Sequence, residues 1–132
     1  MGVKWLFGLI LILVSSSCAI VRHQPVYKLA LLAPFEGRYR EVGYNALYAA
    51  RMALQDADGR ITLLPVDDGG SAENAQSRAK ALELDTSVIG VIVLGPHAIQ
   101  ENILTEFTTL PTIIVGEWGA QPTSHVFIAS NP

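Results

Sequence analysis

Five short apolar runs, set apart by helix-forming or turn-forming stretches, constrain this chain more than any other feature. "VYKLALLA" (26–33) lies between Pro25 and Pro34, and "ITLLPVD" (61–67), "VIGVIVLG" (88–95), "PTIIVG" (111–116) and "HVFIAS" (125–130) follow it. Runs this short, rich in Val, Ile and Leu and bounded by Gly, Pro or Asp, predict strands. Pro65 lacks a ladder donor and puts the second run at a sheet edge. The run at 88–95 is apolar at nearly every position and reads as a central strand covered on both faces. Between the runs the period changes. From Val42 to Asp58, the residues Val42, Ala46, Ala49, Ala50, Ala53, Leu54 and Ala57 fall on one helical face, with Gly59 as the stop. Ser71 is a natural cap for a helix from Ala72 to Leu84, with Glu73 in its first turn and Ala72, Ala75, Ala79 and Leu82 facing inward. A shorter helix, from about Ala98 to Thr108, turns Ile99, Ile103 and Phe107 to the core. Such alternation gives an α/β fold. It is a doubly wound, Rossmann-like α/β/α sandwich around a mostly parallel sheet of about five strands with right-handed crossovers.

The first residues stand apart. Lys4 precedes "WLFGLILILV", an apolar run of ten, and then "SSSC". That order is the charged, apolar and small-residue series of a secretory signal, and the run is shorter than the roughly 20 residues that span a bilayer. Met1–Ser17 is therefore read as a signal peptide, 18–25 as a junction and polar spacer, and 26–132 as the folded domain. Cys18 is the one cysteine, so no internal disulfide forms. A cysteine at this junction resembles a bacterial lipobox, whose Cys is acylated and becomes the mature N-terminus. The expected location is extracytoplasmic, anchored to the membrane by lipid. Ser15 stands where lipoboxes favour Leu, and an ordinary cleavage site or an uncleaved anchor is the competing reading.

Sheets of this kind bind ligands beyond the carboxyl ends of their strands. Three loops are thereby singled out: 34–41 ("PFEGRYRE"), 95–98 ("GPHA") and 116–119 ("GEWG"). Half of the residues are hydrophobic and 16% charged, which excludes disorder, and a net charge of −3 disfavours nucleic acid as a partner. No G-x-G-x-x-G, G-x-x-x-x-G-K-[ST] or G-x-S-x-G occurs, so dinucleotide, nucleoside triphosphate and serine-hydrolase chemistry lack their motifs. Asp67 and Asp68 in "DDGG" read as turn and capping residues. His97 and Glu101 are four apart without a third ligand, so no metal site is expected. His23 and His125 read as surface residues. Neither an enzyme nor a cofactor is expected.

The stretches "YKLALLAPFEGRYREVGYNALYAARMALQDA" and "ITLLPVDDGGSAENAQSRAKALELDTSVIGVIVLGP" resemble the opening of type I periplasmic binding proteins. The nearest branch is the leucine/isoleucine/valine-binding substrate proteins of ABC transporters. The resemblance runs from about Val26 to Ser130 and implies the front part of lobe one of a two-lobed binder, truncated before the second lobe. It implies a small solute as ligand, an amino acid or another small polar molecule, held weakly by one lobe alone. It also implies an ABC permease as a partner. By position it nominates Arg38, Tyr39, Pro96, His97, Ala98, Gly116, Glu117 and Trp118 as ligand-facing. Arg38 could grip an anion and Tyr39 could stack; alternatively Tyr39 packs on the sheet edge and Arg38 pairs with Glu36 or Glu41. Two loops depart from the family. Pro96, His97 and Ala98 replace small hydroxyl residues, and Glu117 would repel a carboxylate. Without later helices, apolar surface around "VIVLG" and "TIIVG" is expected to seek the missing lobe, a second copy or another polypeptide. An envelope interaction lipoprotein on the same fold, or a gene fragment without a role of its own, are the alternative readings.

Overall fold

The computed structural model describes residues 25–57 and 59–130. The expected signal peptide at Met1–Ser17, the expected junction with Cys18, His23 and the expected helix end at Asp58 lie outside the described residues.

Strands β1 (Tyr27–Ala33), β2 (Ile61–Asp67), β3 (Val88–Val93), β4 (Thr112–Val115) and β5 (Val126–Ala129) form one sheet in the order β2-β1-β3-β4-β5. All four pairings are parallel. β2 is an edge strand, and Pro65 sits opposite Leu31 of β1, as a missing donor requires.

Helix α2 (Ala72–Leu84) has the predicted bounds. Ser71 Oγ accepts the backbone N–H of Asn74 at 3.2 Å, which satisfies one of the free donors of the first turn. Its Ala75, Ala79 and Leu82 are buried against Ala30, Leu32, Val91, Val93, Ile114 and Val126 of the sheet. Together with Ile103 and Phe107 they make the larger of two core clusters. Removing the equivalent of one such Leu or Ile side chain from a core like this costs about 2–5 kcal/mol.

Helix α1 (Arg40–Leu54) follows a 3-10 turn at Gly37–Tyr39 and lies on the other face. It starts earlier and stops sooner than the Ala pattern predicts. Its buried line is Gly43 and Leu47, with Val42, Ala46, Ala50 and Leu54 half-buried, while Ala49 and Ala53 are exposed. Gly43 sets this rotation. A Cβ there would fall on the carbonyl oxygen of Pro34, so only glycine lets the helix approach the end of β1 so closely.

The predicted helix at 98–108 shrinks to one turn, α3 (Glu101–Leu104). Gln100 is extended, with ψ 145°, and breaks the run from Ala98. Beyond it, Thr105 Oγ1 bonds Asn102 O, and Thr108 and Thr109 direct their hydroxyls to Glu83. Threonines with such partners compete with a continuing helix.

β3 is central but not covered on both faces. α1 shields only the β2–β1 half of its face, so Ile89, Ile113, Val115 and Phe127 are 42–54% exposed.

Candidate functional site

The crossovers put α1 on one face of the sheet and α2 and α3 on the other. The chain therefore leaves β1 and β3 in opposite directions, which opens a crevice at their carboxyl ends. The three loops singled out in the sequence all lie along this rim.

The first is fixed at its root. Asp67 Oδ1 accepts the Phe35 N–H at 2.7 Å, and Oδ2 accepts that of Gly69 at 3.2 Å. Phe35 meets Tyr44 of α1 edge-on, with ring centroids 5.6 Å apart. Beyond this anchor the loop opens to solvent. Arg38 and Tyr39 are both exposed, and the Arg38 guanidinium lies 5.8 Å from the Tyr39 ring centroid. Arg38 thus lies near an aromatic face, and among the described residues no ion pair joins it to Glu36 or Glu41.

The second loop packs tightly on its neighbours. Gly95, with φ +98°, has no room for a side chain, because a Cβ would lie 2.7 Å from Pro34 Cδ. Pro96 and His97 are half-buried and Ala98 is wholly buried in the larger core. Ala98 therefore supports the rim from beneath.

Beside Gly95 lies Asp68, which the sequence reading gave only a turn role. Asp67 and the Asp68 Oδ1, which accepts Gly70 N–H at 2.9 Å, do make that turn. The Asp68 side chain is nevertheless 1% exposed, and its Oδ2 has no hydrogen-bond partner. Burial pushes its carboxyl above the ordinary 3.8. The Gly70 bond and the charge of His97 pull the other way, and Asp67 adds to the rise. The sequence signal was available but weak: of two acids after a strand, one points inward by alternation.

The third loop is shaped by Trp118, whose indole N–H donates to Val115 O at 2.7 Å. Gly116, at φ +98°, is kept bare by that ring, since a Cβ would lie 2.9 Å from Nε1. Gly116, exposed Glu117 and half-buried Trp118 form one wall of an open groove of about 490 Å³. Val42, Asn45 and Ala49 of α1 form the other, with Leu94 and Val115 also lining it. Among the described residues Glu117 is its one ionisable lining residue, and Asn45 adds an amide that sequence reasoning missed. Arg38, Tyr39 and His97 stand outside this groove.

A second hollow, of about 340 Å³, lies at the opposite end of the strands beside Tyr27, Ile61 and Ile89. It is away from the strand ends where such sheets take ligands. No group of three or more His, Cys, Asp or Glu able to hold a metal occurs among the described residues. Nor is any described helix long and apolar enough to cross a membrane.

No family model and no curated protein matches the chain. Two solved structures do. One, from Rhodospirillum rubrum, is described as a branched-chain amino acid ABC transporter. It superposes with a TM-score of 0.63 at 18% identity, over 78% of this chain and 33% of that one. The other, from Rhodopirellula baltica, is described as a leucine/isoleucine/valine-binding protein. It superposes with a TM-score of 0.55 at 20% identity, over 73% of this chain and 29% of its own. The chain thus has the fold of a type I periplasmic-binding-protein lobe, and it spans about a third of the length of the structures it matches.

Proposed function

We propose that this chain is a solute-binding lobe of the kind that serves an ABC importer, exported to the cell envelope and held there by a lipid on Cys18. Its ligand-facing rim is made by 34–41, 95–98 and 116–119. The observation that carries this reading is the gathering of those three loops at the carboxyl edge of an all-parallel sheet whose fold is shared with ABC-transporter binding proteins. The ligand is a small polar solute, an amino acid or a molecule of similar size, and the partner that receives it is a permease. No catalytic step is assigned to the rim.

One lobe supplies one wall. Pockets for small molecules normally bury most of the ligand, and the groove beside Trp118 is open along its length. The opposing wall would come from a second lobe, on this polypeptide or another. Calorimetric titration of the chain with leucine, isoleucine and valine is therefore expected to give dissociation constants no tighter than about 1 mM, or about −4 kcal/mol. A micromolar constant would show that this lobe binds unaided. Export and anchoring have their own test: a fatty-acid probe should label the wild type and leave Cys18→Ser unlabelled, and equal labelling of both would remove the anchor.

A second reading is favoured by one observation, the open half of the sheet under Ile113, Val115 and Phe127. All-parallel sheets are normally covered on both faces. An envelope protein that docks a further polypeptide layer there, without transporting a solute, fits that surface as well.

A further inference from the structure

A third hollow, of about 260 Å³, lies on the α2–α3 face of the sheet, on the other side of Trp118 from the groove beside α1. Ile99, with Glu101 and Leu104 of α3, makes one wall, and Trp118 and Ala120 of the connection from β4 to β5 make the other. Its floor is apolar: Leu104 is buried in the larger core cluster, and half-buried Ile99, Trp118 and Ala120 pack on that cluster. Most of its polar groups are already committed. The Trp118 N–H donates to Val115 O at 2.7 Å, and the Thr105 hydroxyl donates to Asn102 O at 3.2 Å. Thr123 Oγ1 accepts the Val126 N–H at 3.2 Å, and Gln121 adds a neutral amide. Glu101 differs from all of these. It is the one charged side chain of the described lining, and among the described residues its carboxylate has neither a hydrogen bond nor an ion pair.

We propose that this hollow is a second binding site, for a small organic cation: a primary amine on an apolar body. Charge complementarity over an apolar floor selects that class. The body leaves water against Leu104, Ile99 and Ala120. The ammonium meets the unpaired Glu101 in a charge-assisted hydrogen bond. Trp118 cannot donate further, but its indole ring attracts a cation. An anion would find no positive group in the described lining and would be repelled by Glu101. A free amino acid brings its own carboxylate to the same place, so this ligand differs in class from the one proposed for the rim. The volume falls just below the 300–1,000 Å³ or so of most ligand pockets, so the cation is no larger than one ring or a short chain. Because Glu101 is exposed, solvent screens the pair and binding is weak. The site stands on this cavity and does not rest on the solute-binding reading.

The chain has two tryptophans, so the full chain with Trp5→Phe reports through Trp118 alone. Phenethylamine should change that fluorescence along a saturating curve with a dissociation constant of about 1–10 mM. Phenylpropionate, a similar body with the opposite charge, should bind at least about tenfold more weakly. Glu101→Gln should weaken the amine about fivefold, the upper end for an exposed ion pair, and Glu101→Lys should reverse the preference between amine and acid. Glu101 is exposed, so neither substitution disturbs the core, and circular dichroism checks that each variant is folded. Trp118 also walls the groove beside α1, so amide shifts of the nitrogen-15-labelled chain locate the amine: 99–105 and 119–123 should move, while Asn45 and Ala49 stay. No fluorescence change, equal binding of amine and acid, or an affinity indifferent to both Glu101 variants overturns the proposal. Shifts centred on Asn45 and Ala49 would put the amine in the rim groove and overturn it too. Leucine failing to bind at the rim would leave each of these outcomes unchanged.

Discussion

The two rims of the sheet are built on opposite principles. At the amino ends of the strands, Asp85 and Glu83 each gather several donors. Asp85 accepts from Lys28 Nζ at 3.0 Å, and its other oxygen accepts the Ser87 N–H and hydroxyl at 2.9 and 2.5 Å. Glu83, at the end of α2, ties down the turn before β4. It accepts the Thr108 hydroxyl and the Thr109 N–H and hydroxyl at 2.7–2.8 Å, with Leu110 N–H at 3.4 Å. At the carboxyl ends, Asp68 is buried with one oxygen unpartnered, three positive-φ glycines crowd their neighbours, and Arg38, Tyr39 and Glu117 face solvent. One rim is arranged for stability. The other departs from local rules where the fold places ligands, and such departures concentrate at functional sites.

The largest expected effect tests the close packing under the carboxyl rim. Gly43→Ala places a methyl on the Pro34 carbonyl. Overpacking against backbone costs about 3 kcal/mol, offset by about 1 kcal/mol of helix propensity, for a net loss of about 2 kcal/mol by chemical denaturation. Unchanged stability would mean that α1 can back away from β1 at no cost, and that the rim is not clamped.

Glu83→Ala is the matching probe of the amino rim. It strands two backbone donors and two hydroxyls that share one carboxylate, and should remove about 1–2 kcal/mol. A neutral outcome would make this rim no better held than the other.

The smaller effects lie in pH. Asp68 has a folded-state pKa above the ordinary 3.8, so its ionised form opposes folding at neutral pH. That opposition is relieved as pH falls through the raised value toward 3.8. Asp68→Asn should therefore stabilise the chain at pH 7, and the gain should disappear in acid. Asp85 behaves in the reverse sense. Hydrogen bonds from Ser87 and Lys28 hold its carboxyl at about 2, so its contribution is full above 3.8 and is lost as pH falls toward about 2. Glu83 follows Asp85. Burial works against its charge, but the bonds from Thr108, Thr109 and Leu110 prevail and keep it below 4.5. Melting temperatures of Asp68→Asn and Asp85→Asn should thus lie on opposite sides of wild type at pH 7, Asp68→Asn above and Asp85→Asn below, and both differences should close in acid, the first by about pH 3.8 and the second only toward about pH 2. Parallel curves would erase the distinction between the rims.

The layered plan was legible because it rests on period. Five apolar runs and the Ser71 cap determined the strands, the Ala72–Leu84 helix and the edge position of Pro65 without tertiary information. The misses have particular causes. The Ala pattern on α1 has two candidate faces, and the contact of Gly43 with Pro34, which selects one, spans a loop that no helical wheel includes. The helix at 98–108 had an apolar period, but threonines with hydroxyl partners on α2 and Asn102 overrode it. The site was half legible. Topology alone placed its three loops, whereas the inward aim of Asp68, the arrangement of Arg38 on Tyr39 and the groove between Asn45 and Trp118 depend on side-chain directions that only packing decides.

The claim that the carboxyl rim is the ligand rim is tested most directly by backbone amide shifts. The chain lacking residues 1–17 and carrying Cys18→Ser, labelled with nitrogen-15, would be titrated with a panel of neutral and charged amino acids up to about 10 mM, above the expected dissociation constant. The predicted result is concentration-dependent movement of amides within 34–41, 95–98 and 116–119, with those of Lys28, Glu83, Asp85 and Thr108 unmoved. Shifts concentrated on the amino rim, or no shift with any solute of the panel, would contradict it.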